Sequence, residues 1–361
     1  MNVFLLNGTP VQLILAEELK HVLRIQDEDC VLAIRNFPVN TYKFSIRSKE
    51  EVYRFSQWKE VCFIPQIVST NFIQYVRNFR MYIDEATRII GRHEPVKNII
   101  LGNYGNEPML HMANIYAAMG CTVYFIDEGI GTLHLYQARE NSATGSLKKR
   151  SVQERIRNVF SDFFKERILG FKGYGVKETV TFFTEYPLTP TARTRIIPNN
   201  FVQTKSKLKS WIKDDRVFFI GNAYIHFGHL SRDDYFSFFN FVVRYYKGKR
   251  IIYVPHPREY ERDISILAEK YGMEILRTDI AIEVYIVKNQ ILPESIGGFT
   301  STSISRIYKM LGNNVRITSF KMPMERLIRR HEIVDNIYAY FRKELVSETF
   351  SLVDITDYEN T

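Results

Sequence analysis

Short apolar runs that stop at a turn residue, each followed by a stretch of helical periodicity, recur along this sequence. Residues 3–6, 30–34, 61–63, 98–101 and 122–126 are such runs in the first half, and 73–90 carries apolar residues at helical spacing. In the second half, runs at 216–220, 250–254, 274–276, 295–299 and 315–318 alternate with helical patterns at 234–246, 261–271 and 303–311 and a segment at 280–287. Alternation of this kind leaves a chain little choice but mostly parallel sheets flanked by helices. Gly272 and Gly312 each follow a helical pattern and are expected as its C-cap. A chain of 361 residues is long enough for two cores, and a Pro-, Asn-, Lys- and Ser-rich stretch separates the halves. The expected division is a Rossmann-like domain over 1–195, a linker over 196–210, a second Rossmann-like domain over 211–325 and a C-terminal helical segment over 326–361.

Composition narrows the class without naming a function. Hydrophobic residues at 45% and charged ones at 25% describe an ordinary globular chain. Aromatics at 14% are high, and cores are their expected place ahead of sugar-stacking faces. Cys30, Cys62 and Cys121 sit in apolar contexts without metal-like spacing, which argues for reduced thiols and a cytoplasmic setting. The apolar run at 2–6 is too short for a signal peptide, and Glu17, Glu18 and Lys20 follow closely. The longest uncharged stretch, 108–126, contains His111, Asn114 and Gly120 and is expected to divide into a helix, a glycine stop and a strand.

Three strand ends carry chemistry. IIYVPHPRE (251–259) is a strand halted at Pro255, with His256 locked between two prolines and followed by a cation and an acid. That placement suits an imidazole serving a phosphate or acid partner at a sheet rim, or a histidine satisfying a turn. VYFIDEGIGT (123–132) ends in Asp127 and Glu128 before Gly129 and Gly131. Such acids serve as general base, as metal ligands or as anchors of a tight loop. GGFTSTSISRIY (297–308) places a Ser/Thr run at a helix start, which is either a phosphate site or an N-cap without a ligand. The loop GNYGN (102–106) also follows a strand, but a lone Gly-x-x-Gly carries little.

Taken in order, Asp127-Glu128-Gly129, His256-Pro257 and the hydroxyl run 300–305 resemble the acidic, His-Pro and Ser/Thr motifs of the bacterial sialyltransferases. The opening VFLLNGTPVQLILAEEL is similar to the start of the family that sialylates lipooligosaccharide, glycosyltransferase family 52, with capsular polysialyltransferases as relatives. The resemblance spans residues 1 to 310 or so. It implies a GT-B-like α/β fold, two Rossmann-like domains with a cleft between them. It also implies inverting transfer of N-acetylneuraminic acid from CMP-sialic acid to a terminal sugar hydroxyl, such as galactose, of a surface glycan. No cofactor and no obligatory metal are expected. His256 would aid departure of the phosphate. Asp234, 22 residues earlier, is the preferred base, with Asp127 and Glu128 on the acceptor side. Donor contacts are expected from Gly221, Asn222, Pro257, Glu283, Thr300, Ser301, Thr302 and Ser303. For Asp234 the competing reading is a helix-N-terminal charge, and for Glu283 a solvated helix acid.

The net charge of +9 asks for a partner. Residues 148–172 hold eight cations against three acids, with apolar residues interleaved at helical spacing. That segment reads either as a surface helix on the core or as one lying on anionic lipid. A second basic helix is expected over 324–345. The resemblance suits a protein at the cytoplasmic face of the inner membrane, acting on a glycan or glycolipid, with a homodimer also in view. Two other readings stand beside it: another nucleotide-sugar transferase of lipopolysaccharide or capsule synthesis, and a basic nucleic-acid-binding protein. The cations sit on no recognisable nucleic-acid module, so no nucleic-acid partner is expected.

Overall fold

The computed structural model describes residues 1–36, 45–66, 69, 71–127, 129, 132–133, 136–137, 139–140, 167, 170 and 179–358. The chain divides into two compact units, Met1–Asn200 and Phe201–Thr361.

The first unit is built on seven strands: β1 (Asn2–Leu6), β2 (Cys30–Asn36), β3 (Glu60–Pro65), β4 (Asn98–Leu101), β5 (Thr122–Ile126), β6 (Val180–Thr184) and β7 (Thr194–Pro198). They lie in the order β3-β2-β1-β4-β5-β6-β7, and every pairing is parallel. β1 and β4 are buried at every position, which is why they read as unbroken apolar runs. The chain builds outward from β1 to β3, then returns to β1's other side as β4, so the switch of direction falls between β1 and β4. Gln12, on helix α1 (Pro10–Leu23), spans that switch: its Oε1 accepts from the Asn7 N–H at 2.7 Å and its Nε2 donates to the Gly102 carbonyl at 2.6 Å. Following a short α2 (Lys49–Tyr53), helix α3 (Phe72–Gly91) buries Phe79, Tyr82, Ala86, Ile89 and Ile90, one face at helical spacing. Helix α4 (Glu107–Ala118) is capped by Asn106, whose side chain accepts from the Met109 N–H. The uncharged stretch 108–126 thus divides into a helix and a strand as expected, and among the described residues no helix is long and apolar enough to cross a membrane.

The second unit holds six strands: β8 (Ile212–Ile220), β9 (Ile251–Val254), β10 (Glu274–Ile275), β11 (Ile291–Gly298), β12 (Arg316–Lys321) and β13 (Phe350–Asp354). Their order is β10-β9-β8-β11-β12-β13, again all parallel, with the switch of direction between β8 and β11. Its helices are α5 (Val202–Lys207), α6 (Arg232–Tyr245), α7 (Glu261–Tyr271), α8 (Ile282–Asn289), α9 (Thr302–Leu311) and α10 (His331–Glu344). Gly272 and Gly312 follow α7 and α9 with φ of +63° and +57°, the C-caps expected of them. Phe219 centres an aromatic core, with the rings of Phe239, Phe299, Phe320 and Tyr253 at 4.8, 5.4, 6.1 and 6.2 Å. Core filling therefore accounts for much of the aromatic excess.

Three strands go beyond the sequence expectation. β7 and β13 are sheet edges, only partly buried, and so lack a continuous apolar run; β6, VTFFT, is buried throughout. The break between units falls within 196–210, yet that stretch is itself ordered by the end of β7, by α5 and by the fully buried Phe201. The expected helical segment 326–361 supplies a strand as well as a helix. The basic helix expected over 324–345 begins only at His331, because Arg330 takes a left-handed φ of 64°, so Arg326 ends a separate 3-10 turn (Met324–Arg326) and Arg329 and Arg330 lie in the connection after it.

Candidate active site

Three loops leave the C-terminal ends of adjacent strands in the second sheet. Ile220 of β8 is paired with Val254 of β9 on one side and Gly298 of β11 on the other. Gly221-Asn222, Pro255-His256 and Thr300-Ser301 therefore emerge side by side, at the place where the strand order reverses. In open parallel sheets that is where ligands bind.

The His-Pro segment forms a closed turn. The Glu259 N–H donates to the His256 carbonyl at 2.9 Å, while the His256 N–H donates to Glu259 Oε1 at 2.6 Å. The Arg258 N–H donates to His256 Nδ1 at 3.2 Å, so Nδ1 is the acceptor nitrogen and Nε2 carries the ring proton in the neutral imidazole. Burial holds the His256 pKa below its ordinary value, and Arg258 and His226 add to this. An anion placed beside the ring would push the other way. Pro257 is exposed at the turn.

A line of hydroxyls ties this turn to β8. Glu259 Oε2 accepts from the buried Tyr253 hydroxyl, which lies 3.0 Å from the Tyr235 hydroxyl, and the Asn222 N–H points to Tyr235 at 3.5 Å. Gly221 is required here: a Cβ would lie 2.5 Å from the Tyr253 hydroxyl and against Glu259 Oε1. Burial raises the Glu259 pKa to about 7 and Asp263 adds to this, against the bonds from Tyr253 and the His256 N–H.

The loop following β8 is a hub. The Phe227 ring lies 5.5 Å from the Arg258 guanidinium, and the His226 ring meets Tyr260 at a tilt, with centroids 5.0 Å apart. On the other side the Tyr224 hydroxyl bonds the Thr300 hydroxyl. Thr300 is thus buried and engaged. Ser301 is the N-cap of α9, accepting from the Ser303 N–H at 3.3 Å, while Thr302 is exposed and Ser303 half-buried. Gly298 lets Ile304 pack close, since a Cβ there would stand 2.5 Å from Ile304 Cδ1. Glu283 is no solvated acid: it is buried, with its Oε1 3.6 Å from the Arg306 guanidinium on α9.

Asp234 occupies the first turn of α6. Its N–H donates to Ser231 Oγ at 3.0 Å, the Ser231 hydroxyl donates back to Oδ2 at 2.5 Å, and Arg326 lies 3.3 Å from Oδ1. The cap accounts for why helix α6 starts here. It leaves each carboxylate oxygen one further lone pair.

The acidic motif belongs to the first unit. Asp127 follows β5, is buried, and its Oδ2 accepts from the N–H of Glu185 at the end of β6 at 2.6 Å. It therefore ties two neighbouring strand ends together. Glu128 lies outside the described residues. Of the sequence candidates, Gly221, Asn222, His256, Pro257, Thr300, Ser301, Thr302 and Ser303 share one sheet edge, and Glu283 packs behind α9. Tyr253, Glu259, Tyr235, Arg306 and Arg326 were not anticipated. Only Glu259 had a signal, an acid three residues after the histidine, the reach of a turn-closing side chain. Among the described residues no group of three or more His, Cys, Asp or Glu side chains is arranged to hold a metal ion.

Residues 3–321 match the family model described as alpha-2,8-polysialyltransferase (POLYST). Among solved structures, a UDP-GlcNAc 2-epimerase from Methanocaldococcus jannaschii superposes with a TM-score of 0.51 at 13% identity, covering 98% of this chain and 89% of that one. The GT-B domain of a sialyltransferase from Photobacterium damselae gives a TM-score of 0.48 at 12% identity, covering 98% and 100%. At 13% identity the likeness to the epimerase is one of fold alone, and two parallel-sheet, Rossmann-like α/β domains are the class expected. No curated protein sequence matches the chain.

Proposed function

The chain belongs to the alpha-2,8-polysialyltransferase family, and from that premise we propose that it transfers sialic acid from CMP-sialic acid to a sugar hydroxyl of a surface glycan, with inversion and without an obligatory metal. The reading is carried by one observation: the His-Pro turn, the β8 turn and the hydroxyl-rich start of α9 meet at the point of strand-order reversal. There the donor's phosphate would meet the Nε2–H of His256 and the free end of α9, with Gly221 and Asn222 beneath it. Negative charge growing on the phosphate as the anomeric carbon gains oxocarbenium character would be met by these donors, and the phosphate would raise the imidazole pKa toward protonation.

Asp234 is the proposed base, its carboxylate oriented by Ser231 and Arg326. Asp127 and Glu128 would serve the acceptor side. The family description favours a sialyl terminus as acceptor and repeated addition, ahead of the single addition to galactose of lipooligosaccharide expected from the sequence. A cytoplasmic location at the inner membrane face, surface contact with anionic lipid and a homodimer complete the proposal.

The test is CMP release from CMP-N-acetylneuraminate, offered with a panel of galactosides and a sialylated oligosaccharide, with and without a chelator. Chelation is expected to leave the rate unchanged, and His256→Ala to lower kcat by about 100- to 10,000-fold. Asp234→Asn is expected to fall by a similar factor and Asp127→Asn by less. Transfer by Asp234→Asn at near the unmodified rate would remove that residue from the mechanism.

A further inference from the structure

The acid of the His-Pro turn has no part in the chemistry above, yet its surroundings are tightly constrained. Glu259 is held between two donors, the His256 N–H at 2.6 Å on Oε1 and the Tyr253 hydroxyl on Oε2. Behind Tyr253 stand the Tyr235 hydroxyl at 3.0 Å and, beyond it, the Asn222 N–H. The direction of this line is fixed by its ends. An amide N–H can only donate, and an ionised carboxylate can only accept, so Tyr235 donates to Tyr253 and Tyr253 to Glu259. A glutamine would offer one acceptor oxygen and one donor nitrogen, so the hydroxyl line would have to reverse, and the Tyr235 proton would then find no acceptor within it. The space is closed too, since any side chain at position 221 would strike both Glu259 and Tyr253.

We propose that Glu259 is a positioning residue: its carboxylate clasps the His256 backbone to the end of β8 through Tyr253 and Tyr235, and so fixes where the imidazole meets the donor. The proposal rests on the reading of His256 as the group that meets the leaving phosphate. The clasp also bears on the helix carrying Asp234, because Tyr235 is the next residue on α6. Other titratable groups around the clasp are Asp263, salt-bridged to Arg232 at 2.8 Å, and Arg258 and His226, which neighbour the imidazole. Tyr235 and Tyr253 are fully buried, and their ionisation is pushed well above the ordinary phenol range.

The experiment compares the full chain with Glu259→Gln and Tyr253→Phe in two readouts. The first is steady-state CMP release from CMP-N-acetylneuraminate across pH. Glu259→Gln is expected to lower kcat by about 10- to 100-fold with the donor KM within about threefold, because the histidine is displaced while the donor still binds. Tyr253→Phe, which keeps the carboxylate and removes one donor, is expected to lower kcat less. The acid limb of the kcat profile near pH 7 should be absent from Glu259→Gln. The second readout is the ring ¹H–¹³C resonance of His256, assigned with His256→Asn. A single sharp signal is expected in the unmodified protein and a broadened, shifted one in both variants. Folded variants with kcat within twofold, an unmoved acid limb and an unchanged His256 signal would overturn the clasp. If the unmodified protein releases no CMP, the transferase reading fails, while the resonance of His256 still decides the clasp.

Discussion

Single residues in this protein do two things at once, and Glu259 is the clearest case. Burial raises its pKa from 4.5 to about 7, so between those values the folded chain binds a proton that the unfolded chain releases. Stability therefore falls as pH rises through that window, and is flat in this respect above it. Glu259→Gln cannot ionise, so its unfolding midpoint in urea should show a smaller loss between pH 4.5 and 7 than the unmodified protein. An equal pH slope in the two proteins would place the ionisation elsewhere. Asp234 combines roles differently. The carboxylate proposed as base also holds the hydroxyl of Ser231, the N-cap of α6, which is why the sequence supported both readings and the fold excludes neither.

Elements in the second sheet end where glycines permit close approach. β11 closes in Gly297-Gly298, and a methyl at either position would overlap a packed neighbour: Phe219 and Tyr246 at 2.9 Å for Gly297, Ile304 at 2.5 Å for Gly298. The sequence showed a glycine pair before a hydroxyl run, and the physical reason differs for each: Phe219 and Tyr246 press on Gly297, and α9 packs on Gly298 through Ile304. Gly298→Ala should cost about 1–3 kcal/mol, as overpacking of a filled core does, and should lower the thermal midpoint while leaving the first unit's fold intact. Far-ultraviolet circular dichroism on heating would measure it, and an unshifted midpoint would mean that α9 yields freely. The His-Pro turn was legible from two prolines and an apolar run, whereas the hydroxyl line behind it was not. Tyr235, Tyr253 and Asn222 are distant in sequence, and the pairing of β8 with β9 together with the packing of α6 brings them together.

At the scale of the molecule, two parallel sheets carry a net charge of +9. The basic stretch 148–172, expected as an amphipathic helix, lies for the most part outside the described residues, while Arg326, Arg329 and Arg330 precede helix α10 rather than lying on it. If the cations serve an anionic surface, the protein should float with vesicles containing anionic lipid at low salt and be released at about 1 M salt, where the screening length is about 3 Å. Flotation that is absent at low salt would assign the charge to the anionic donor and acceptor instead.

The order of strands and helices, the paired cores and the three strand-end motifs were written in local sequence, because apolar periodicity and turn residues act over a few neighbours and need no knowledge of the rest. Strands β6, β7 and β13 escaped it, the last two because these edges, partly buried, carry no continuous apolar run. Which motifs share a site was beyond the sequence as well. Strand order decides that, and strand order is set by burial summed over a whole sheet: it seats His256, Asn222 and Thr300 on neighbouring strand ends, and leaves Asp127 on a different sheet.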